Sequence, residues 1–222
     1  FADMLIQLGV PYDSKDALNI AKVLMRFIQN QTNVASQRLA EIRGVFPAWS
    51  NSIYNQVNPC PMRNSAPTTI APTGTISIIA GTSSGIEPLF AVSYIRNVMD
   101  NTRLVEVHPY FEAVARYEGF YSAEMMDQIA QYGIAYTTGI PEWVRKVFVT
   151  AHDITPECHV YMQAAFQHYT DNAVSKTINF PNHATIGDVI NALMLAYKLD
   201  CKGITIYRDG TKEGQVLSLG DA

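Results

Sequence analysis

The sequence of 222 residues contains little cysteine, no excess of basic charge and no long apolar run. Its three cysteines, Cys60, Cys158 and Cys201, are odd in number and far apart, which fits a reducing cytoplasm better than a disulfide framework. The net charge of −4 provides no basic surface for nucleic-acid phosphates. Apolar runs such as 76–80 and 189–196 are too short or too interrupted to span a membrane. We therefore expect a cytoplasmic protein that binds neither nucleic acid nor membrane.

A signal peptide and an initiator methionine are also missing from the first residues, Phe1-Ala2-Asp3. We expect no secretory leader, and a sequence that was cut from a longer protein or renumbered, although processing would look the same. With 48% hydrophobic residues, the chain is long enough to bury the core of one domain or of one large subdomain.

The first third of the chain has helical periodicity. Asp13 or Ser14 can cap a helix with one apolar stripe, and a second helix is predicted to end before Gly44. The stripe consists of Leu18, Ala21, Leu24, Met25 and Ile28. Four prolines make residues 44–67 irregular. Residues 1–67 are therefore expected to be a helical lead-in followed by an irregular loop.

Strand-forming residues first cluster after Thr68. The β-branched segments 68–70 and 76–79 predict two buried strands, and 91–98 predicts another. Helices then dominate, with Ser122 and Thr155 as N-caps of two of them. The predicted helices are 108–118, 122–131, 141–148 and 156–170.

The end of the sequence has a strand–helix–strand pattern. Residues 174–180 and 203–207 predict strands, and the capping box at 185–188 opens a helix that continues to Leu199. A connection of this length favours a right-handed crossover between parallel strands. The predicted fold class is therefore α/β, with part of a sheet or barrel supplied by this chain.

One hydroxyl-rich segment, Ala71-Pro72-Thr73-Gly74-Thr75-Ile76-Ser77, has the composition of an anion site. A turn here can present successive backbone N–H groups to a phosphate, and Gly74 allows the main chain to approach a ligand closely. The alternative is an ordinary hydroxyl-rich turn between two buried strands. The segment is neither a Walker loop nor a dinucleotide fingerprint.

Several blocks of sequence, in the same order, closely resemble the catalytic chain of ribonucleotide reductases, most closely the adenosylcobalamin-dependent class. The resemblance runs essentially from end to end. Its blocks are TIAPTGTISIIAG at 69–81, SGIEPLFA at 84–91, VFVTAHD at 147–153, MQAAFQ at 162–167, TDNAVSKTINFP at 170–181 and CKGITIYRDG at 201–210.

The resemblance implies the C-terminal half of a ten-stranded α/β barrel, with helices at the N-terminal end. Residues 1–222 would form a partial barrel domain, with the barrel half and its phosphate loop in 68–222. By the match to the family's phosphate loop, the substrate phosphates would contact Pro72, Thr73, Gly74, Thr75, Ile76 and Ser77.

The family's chemistry implies that no catalytic residue lies in this chain. The radical cysteine of these enzymes occupies a finger loop, Asn-any-Cys-any-Glu, well upstream of the phosphate loop. Asn58-Pro59-Cys60 is similar, but Met62 stands in place of the glutamate and the loop is too close to Gly74. A plain loop thiol is the preferred interpretation of Cys60. The family resemblance implies adenosylcobalamin, bound mainly by the missing N-terminal half, which would be the same or a separate chain.

The expected partners are that half, a ribonucleotide substrate and, when complete, a second copy in a homodimer. A different possibility is a non-catalytic nucleotide-binding or regulatory module derived from the fold. No metal site is expected, because His152, His159 and His168 lack the i, i+4 spacing of helical ligands. Glu87 is a candidate catalytic carboxylate, but a brace for the loop after the phosphate site is the preferred interpretation.

Overall fold

Helices form most of the secondary structure. The computed structural model of the chain describes residues 1–56, 58–98 and 102–211, with the backbone only for 95–98 and 102–104. The predicted barrel half therefore extends, at 212–222, outside the described residues. The helices are α1 Ala2–Gln7, α2 Lys15–Arg43, α3 Gly74–Ala80, α4 Pro109–Tyr117, α5 Ala123–Tyr132, α6 Glu142–Val147, α7 Pro156–Gln167 and α8 Ile186–Lys198. The strands are β1 Ser93–Val98, β2 Thr102–Val107, β3 Thr177–Phe180 and β4 Thr205–Arg208.

Helix α2 is one continuous helix of 29 residues, so the prediction of two helices before Gly44 was wrong. The Ser14 hydroxyl caps it by accepting from the Ala17 amide at 3.1 Å. Gly44, at a φ of +77°, ends it. No proline or glycine interrupts the segment between these caps, so the apolar stripe can continue through both predicted halves.

Residues 76–79 form part of helix α3, which corrects the prediction of a buried strand there. The side chains of Ile76, Ile78 and Ile79 are exposed, Ile78 by 81%. β-Branched residues favour strands only weakly, and tertiary context overrides that preference. In this context the chain turns at Thr73, enters the helix at Gly74 and leaves it at Gly81.

Strands β1 and β2 pair in an antiparallel hairpin. The register runs from Ser93 opposite Val107 to Val98 opposite Thr102. The strand predicted at 91–98 is therefore confirmed, starting two residues later. The Ser93 hydroxyl donates to the Met126 carbonyl oxygen at 3.0 Å, which ties the hairpin to α5.

Strands β3 and β4 are parallel and joined through α8, as the strand–helix–strand pattern predicts. The capping box is present, since Thr185 and Asp188 each satisfy a backbone amide of the other. Two isolated parallel bridges accompany this pair, Ile70 with Val174 and Leu89 with Thr150. Of the predicted strand 174–180, only β3 is thus a regular strand. Before β3, Val174 forms an isolated bridge with Ile70.

The core consists of two clusters of buried side chains. The larger one joins α1 and α2 to α4, α5, α6 and α7, with Phe111 and Phe148 among its fully buried members. The smaller one lies between α7, β3 and α8 and contains Ile178 and Phe180. The helical lead-in therefore shares its core with the later part of the chain. Among the described residues, no helix is both long enough and apolar enough to cross a membrane.

Candidate functional site

A cleft of about 740 Å³ lies beside the C-terminal part of α3. Its wall combines the loop after α3, the open end of the β1–β2 hairpin and part of β3. The polar residues of the lining are Ser77, Thr82, Ser83, Ser84, Glu87, Tyr94, Glu106, His108, Thr177 and Asn179. Leu89, Phe90 and Ala91 supply an apolar part. A few polar groups set in an apolar wall are typical of small-molecule sites.

The predicted phosphate loop leads directly into the first turn of α3. Thr73 precedes the helix with a φ of +52°, a left-handed conformation that is costly for a β-branched residue. The first amides of an α-helix have no acceptor within the helix, and these belong to Gly74, Thr75 and Ile76. The Thr73 side chain makes no capping bond to them. Three adjacent N–H groups are therefore free of helical pairing at this point.

The structure brings the six predicted residues together but gives them different surroundings. Ser77 is buried, lines the cleft and donates its hydroxyl to the Gly74 carbonyl oxygen at 2.7 Å. Thr73 is half-buried, whereas Pro72, Gly74, Thr75 and Ile76 are exposed. The predicted loop thus adjoins the cleft through Ser77, with its other residues on the surface.

The segment 81–88 supports the predicted loop from the side. The Ser84 hydroxyl donates to the Pro72 carbonyl oxygen at 3.0 Å and lies 3.2 Å from the Thr73 hydroxyl. Gly85 packs so closely that a Cβ there would lie 3.2 Å from Thr73 Oγ1. Gly85 also has a φ of +50°, so both the backbone conformation and the close approach call for glycine.

Glu87 braces this segment against strand β3, as the preferred interpretation proposed. Its Oε1 accepts from the Thr177 amide at 2.7 Å, and its Oε2 from the Lys176 ammonium at 2.7 Å. The Lys176 ammonium also lies 2.9 Å from His159 Nδ1. Lys176 is 1% exposed, and desolvation by this burial lowers its pKa, against the opposing effect of Glu87.

His159 and Tyr12 complete the surroundings of this ion pair. Burial, followed by the charge of Lys176, lowers the pKa of His159 to about 3. Tyr12 donates its hydroxyl to the Ile86 carbonyl oxygen at 2.5 Å, and burial raises its pKa well above the ordinary value. Both side chains are therefore neutral near pH 7.

Asp3 connects the helical lead-in to the cleft. Its Oδ2 accepts from the Ser83 amide at 2.8 Å, and its Oδ1 lies 3.1 Å from His108 Nε2. The Asp3 amide donates to the Ser83 hydroxyl at 3.1 Å. The loop after α3 is consequently held by α1 on one side and by β3 on the other.

The three cysteines lie apart from the cleft lining. Cys60 accepts a hydrogen bond at its Sγ from Gln37 Nε2 at 3.1 Å, and its carbonyl oxygen accepts from the Trp49 indole at 2.8 Å. Burial raises the pKa of both Cys158 and Cys201. In 1–56, 58–98 and 102–211, no group of three or more His, Cys, Asp or Glu side chains is arranged to hold a metal ion.

Lys176 and His159 were not among the residues predicted for the site. The strand pattern contained a usable signal, because alternation places Lys176 on the same face as Val174, Ile178 and Phe180, all of which are buried. A lysine on a buried strand face requires a partner. The sequence alone could not identify that partner as Glu87, which lies 89 residues away.

Comparison with known proteins identifies the class. The family model for the ribonucleotide reductase barrel domain matches residues 1–61 and 55–207, so the chain belongs to that family. It matches a C-terminal part of the B12-dependent reductases.

Individual relatives agree with this assignment. A vitamin B12-dependent ribonucleoside-diphosphate reductase of Thermoplasma acidophilum is 53% identical over 222 residues, which is 100% of this chain and 29% of the relative. The protein of the same description from Mycobacterium tuberculosis H37Rv is 48% identical over 218 residues, or 98% of this chain and 30% of the relative. The chain thus spans less than a third of the length of these curated relatives.

A solved structure supports the fold. The alpha subunit of the Actinobacillus ureae class Id ribonucleotide reductase matches with a TM-score of 0.79 at 22% identity, covering 94% of this chain and 37% of that one. A mixed helix-and-strand fold like that of a ribonucleotide reductase alpha subunit, the coarser part of the expectation, is therefore confirmed.

Proposed function

We propose that this chain is part of a ribonucleotide reductase that converts ribonucleotides to deoxyribonucleotides, and that it supplies the loop holding the substrate phosphates. The observation that carries the proposal is the match of the whole chain to reductases named as acting on ribonucleoside diphosphates. By that name we take a ribonucleoside diphosphate as the substrate. The activity also requires the remaining part of the reductase.

The phosphate contacts are assigned to Pro72, Thr73, Gly74, Thr75, Ile76 and Ser77. The amides of Gly74, Thr75 and Ile76 begin α3 without a side-chain cap, and anions are favoured at such positions. The strained Thr73 and the close-packed Gly85 hold the approach to the helix in one conformation. None of the six residues carries a negative charge that would repel a phosphate.

The finer fold proposal is a half-barrel of five parallel strands, the C-terminal half of a ten-stranded barrel. Five segments support it, because parallel pairing involves the chain near Ile70, Leu89 and Thr150, together with β3 and β4. In this proposal 1–67 is the lead-in, and 68–222 is the barrel half that contains the phosphate loop.

Exposed apolar side chains support a requirement for the remaining part of the reductase. On α8 they recur at the spacing of one helical face, and α3 exposes three isoleucines. The α8 residues are Ile186, Ile190, Leu193, Met194 and Tyr197. Patches of this kind mark interaction surfaces. We propose that the N-terminal half of the reductase, in the same or a separate chain, is the partner, and that the complete enzyme is a cytoplasmic homodimer.

The relatives are named vitamin B12-dependent, and we extend this cofactor to the complete enzyme as adenosylcobalamin. We place the cofactor mainly on the remaining part of the reductase, which makes up most of the length of the vitamin B12-dependent relatives, and there it would supply the radical. No catalytic residue is assigned to this chain, and Cys60 remains a loop thiol. The residues of this chain bind and orient the substrate.

A chimaera tests the proposal directly. This chain replaces the matching stretch of the Thermoplasma acidophilum reductase, and the product is assayed with ADP or CDP, adenosylcobalamin and a dithiol reductant. Cobalamin-dependent formation of deoxyribonucleotide supports the proposal. A folded chimaera that forms no product, while the unmodified Thermoplasma protein does, contradicts it. Nucleotide binding without turnover would instead favour a non-catalytic nucleotide-binding or regulatory module.

A further inference from the structure

The Lys176 ammonium is the most deeply buried charge in the described part of the chain. It lies 2.7 Å from Glu87 Oε2, 2.9 Å from His159 Nδ1 and 3.4 Å from the Thr177 carbonyl oxygen. An ammonium group has three N–H donors and no acceptor, so these three neighbours match its bonding capacity. A buried lysine with a full set of partners holds those partners in fixed positions.

His159 can act only as an acceptor towards Lys176. Its Nε2 lies 3.1 Å from the Ala151 carbonyl oxygen, which can only accept, so this nitrogen carries the ring proton. Nδ1 then presents its lone pair to the ammonium. The neutral ring adds no second positive charge, which leaves Glu87 as the single counter-ion of Lys176 at hydrogen-bond distance among the described residues.

Glu87, held in place by Lys176, is linked to the predicted phosphate loop through one short turn. The Glu87 amide donates to the Ser84 carbonyl oxygen at 3.0 Å. The Ser84 hydroxyl in turn bonds the Pro72 carbonyl oxygen and contacts the Thr73 hydroxyl. Thr177, the first residue of β3, and Lys176 just before it are thereby connected to the residues that precede α3.

We propose that Lys176 is a positioning residue for substrate binding, acting through Glu87 and Ser84 to hold the phosphate loop in place. This inference rests on the proposed function, since it concerns the same loop. Lys176 itself does not line the cleft, so it acts without touching the substrate.

Two variants that each remove one charge distinguish positioning of the phosphate loop from a long-range electrostatic effect on the ligand. Lys176→Met removes a positive charge and Glu87→Gln removes a negative one. If the two groups acted on an anionic ligand only through their fields, Lys176→Met would weaken binding and Glu87→Gln would strengthen it. If they act by positioning, both changes weaken binding, and the double variant is no worse than the weaker-binding single variant.

The experiment measures ADP and pyrophosphate affinity of the chimaera of this chain with the remaining part of the Thermoplasma acidophilum reductase by calorimetry, for the parent, both single variants and their combination. Val144→Ala, at a fully buried position in α6, is the stability control. We expect each single variant to bind about tenfold more weakly, the double variant to match them, and the control to retain the parent affinity. In the active chimaera, the same variants raise KM for ADP and leave kcat nearly unchanged.

If one single variant weakens binding and the other strengthens it, the positioning role is overturned. It is also overturned if Val144→Ala, at the same melting temperature as the two variants, weakens binding as much as they do. If Lys176→Met does not fold, the sign of the Glu87→Gln effect decides alone. A parent chimaera that binds neither ligand contradicts the proposed function itself. Binding by the parent that neither variant alters overturns only the inference about Lys176.

Discussion

His159 Nδ1 lies 2.9 Å from the Lys176 ammonium, while its Nε2 faces the Ala151 carbonyl oxygen at 3.1 Å. Protonating Nδ1 would place two positive charges in contact within the core. Burial, and after it the charge of Lys176, lowers the pKa of His159 to about 3. The relationship makes the stability of the chain depend on pH.

Acidification is expected to destabilise the fold through His159. The unfolded state binds a proton at this residue near pH 6.5 and the folded state only near pH 3, so stability is complete above pH 6.5 and is lost as the pH falls. The loss should approach about 1.4 kcal/mol per pH unit in that window. Urea unfolding at pH 7, 5.5 and 4.5 measures it, with His159→Gln for comparison. Equal slopes for the parent and the variant would contradict the assignment.

A negative charge at the start of α3 should abolish anion binding without unfolding the chain. Nothing lies within 4 Å of the Cβ position of Gly74, and an aspartate is favourable in the first turn of a helix. Gly74→Asp should therefore fold and lose pyrophosphate affinity by more than about tenfold. Ala123→Asp makes the same change in charge at the first position of α5 and should bind normally. Calorimetric titration with pyrophosphate compares the two variants. Equal affinities would contradict the assignment of the phosphate contacts to the start of α3.

Gly85→Ala should disturb the phosphate loop through Thr73. The added Cβ would lie 3.2 Å from Thr73 Oγ1, and the φ of +50° adds about 1–2 kcal/mol of strain. Gly119→Ala is the matched control, since Gly119 has a φ of +77° with nothing within 4 Å. Both variants should lose similar stability in urea unfolding, but only Gly85→Ala should weaken pyrophosphate binding. If both variants weaken pyrophosphate binding, the loss of stability, and not a change at Thr73, explains the effect.

Asp200→Gly should stabilise the chain. Asp200 follows α8 with a φ of +57°, a conformation that glycine adopts without steric cost. The gain should be about 1 kcal/mol, measured as a higher urea midpoint. Asp200→Ala retains a Cβ and should show no such gain. A rise for alanine equal to that for glycine would show that the aspartate charge, not the backbone, is responsible.

Short-range signals predicted the ends of the helices well. Ser14, Ser122, Thr155 and Thr185 each accept the capping hydrogen bond expected of them. The parallel pairing of β3 and β4 also followed from local patterns, because the length of the connection restricts the topology. Features that depend on a few neighbouring residues can be derived from sequence.

The features that were not predicted from the sequence depend on contacts between distant parts of the chain. The isoleucines at 76, 78 and 79 indicated a buried strand, yet they lie exposed on a helix. Local propensity is weaker than the effect of the Thr73 turn and the anchoring of Ser84, which joins segments 11 residues apart. The Lys176–Glu87 pair was missed because it connects residues 89 positions apart. The alternation of buried residues that leads into β3 marks Lys176 as unusual, but it does not identify the counter-ion of Lys176.

We propose that the amides at the start of α3 bind the substrate phosphates. Titrating the ¹⁵N-labelled chain with pyrophosphate, and following the backbone amide shifts, tests it most directly. We expect the largest saturable shifts at Gly74, Thr75 and Ile76, with little change at Ala123 in the first turn of α5. Saturable binding that leaves those three amides unmoved, or shifts centred on another part of the chain, would contradict it.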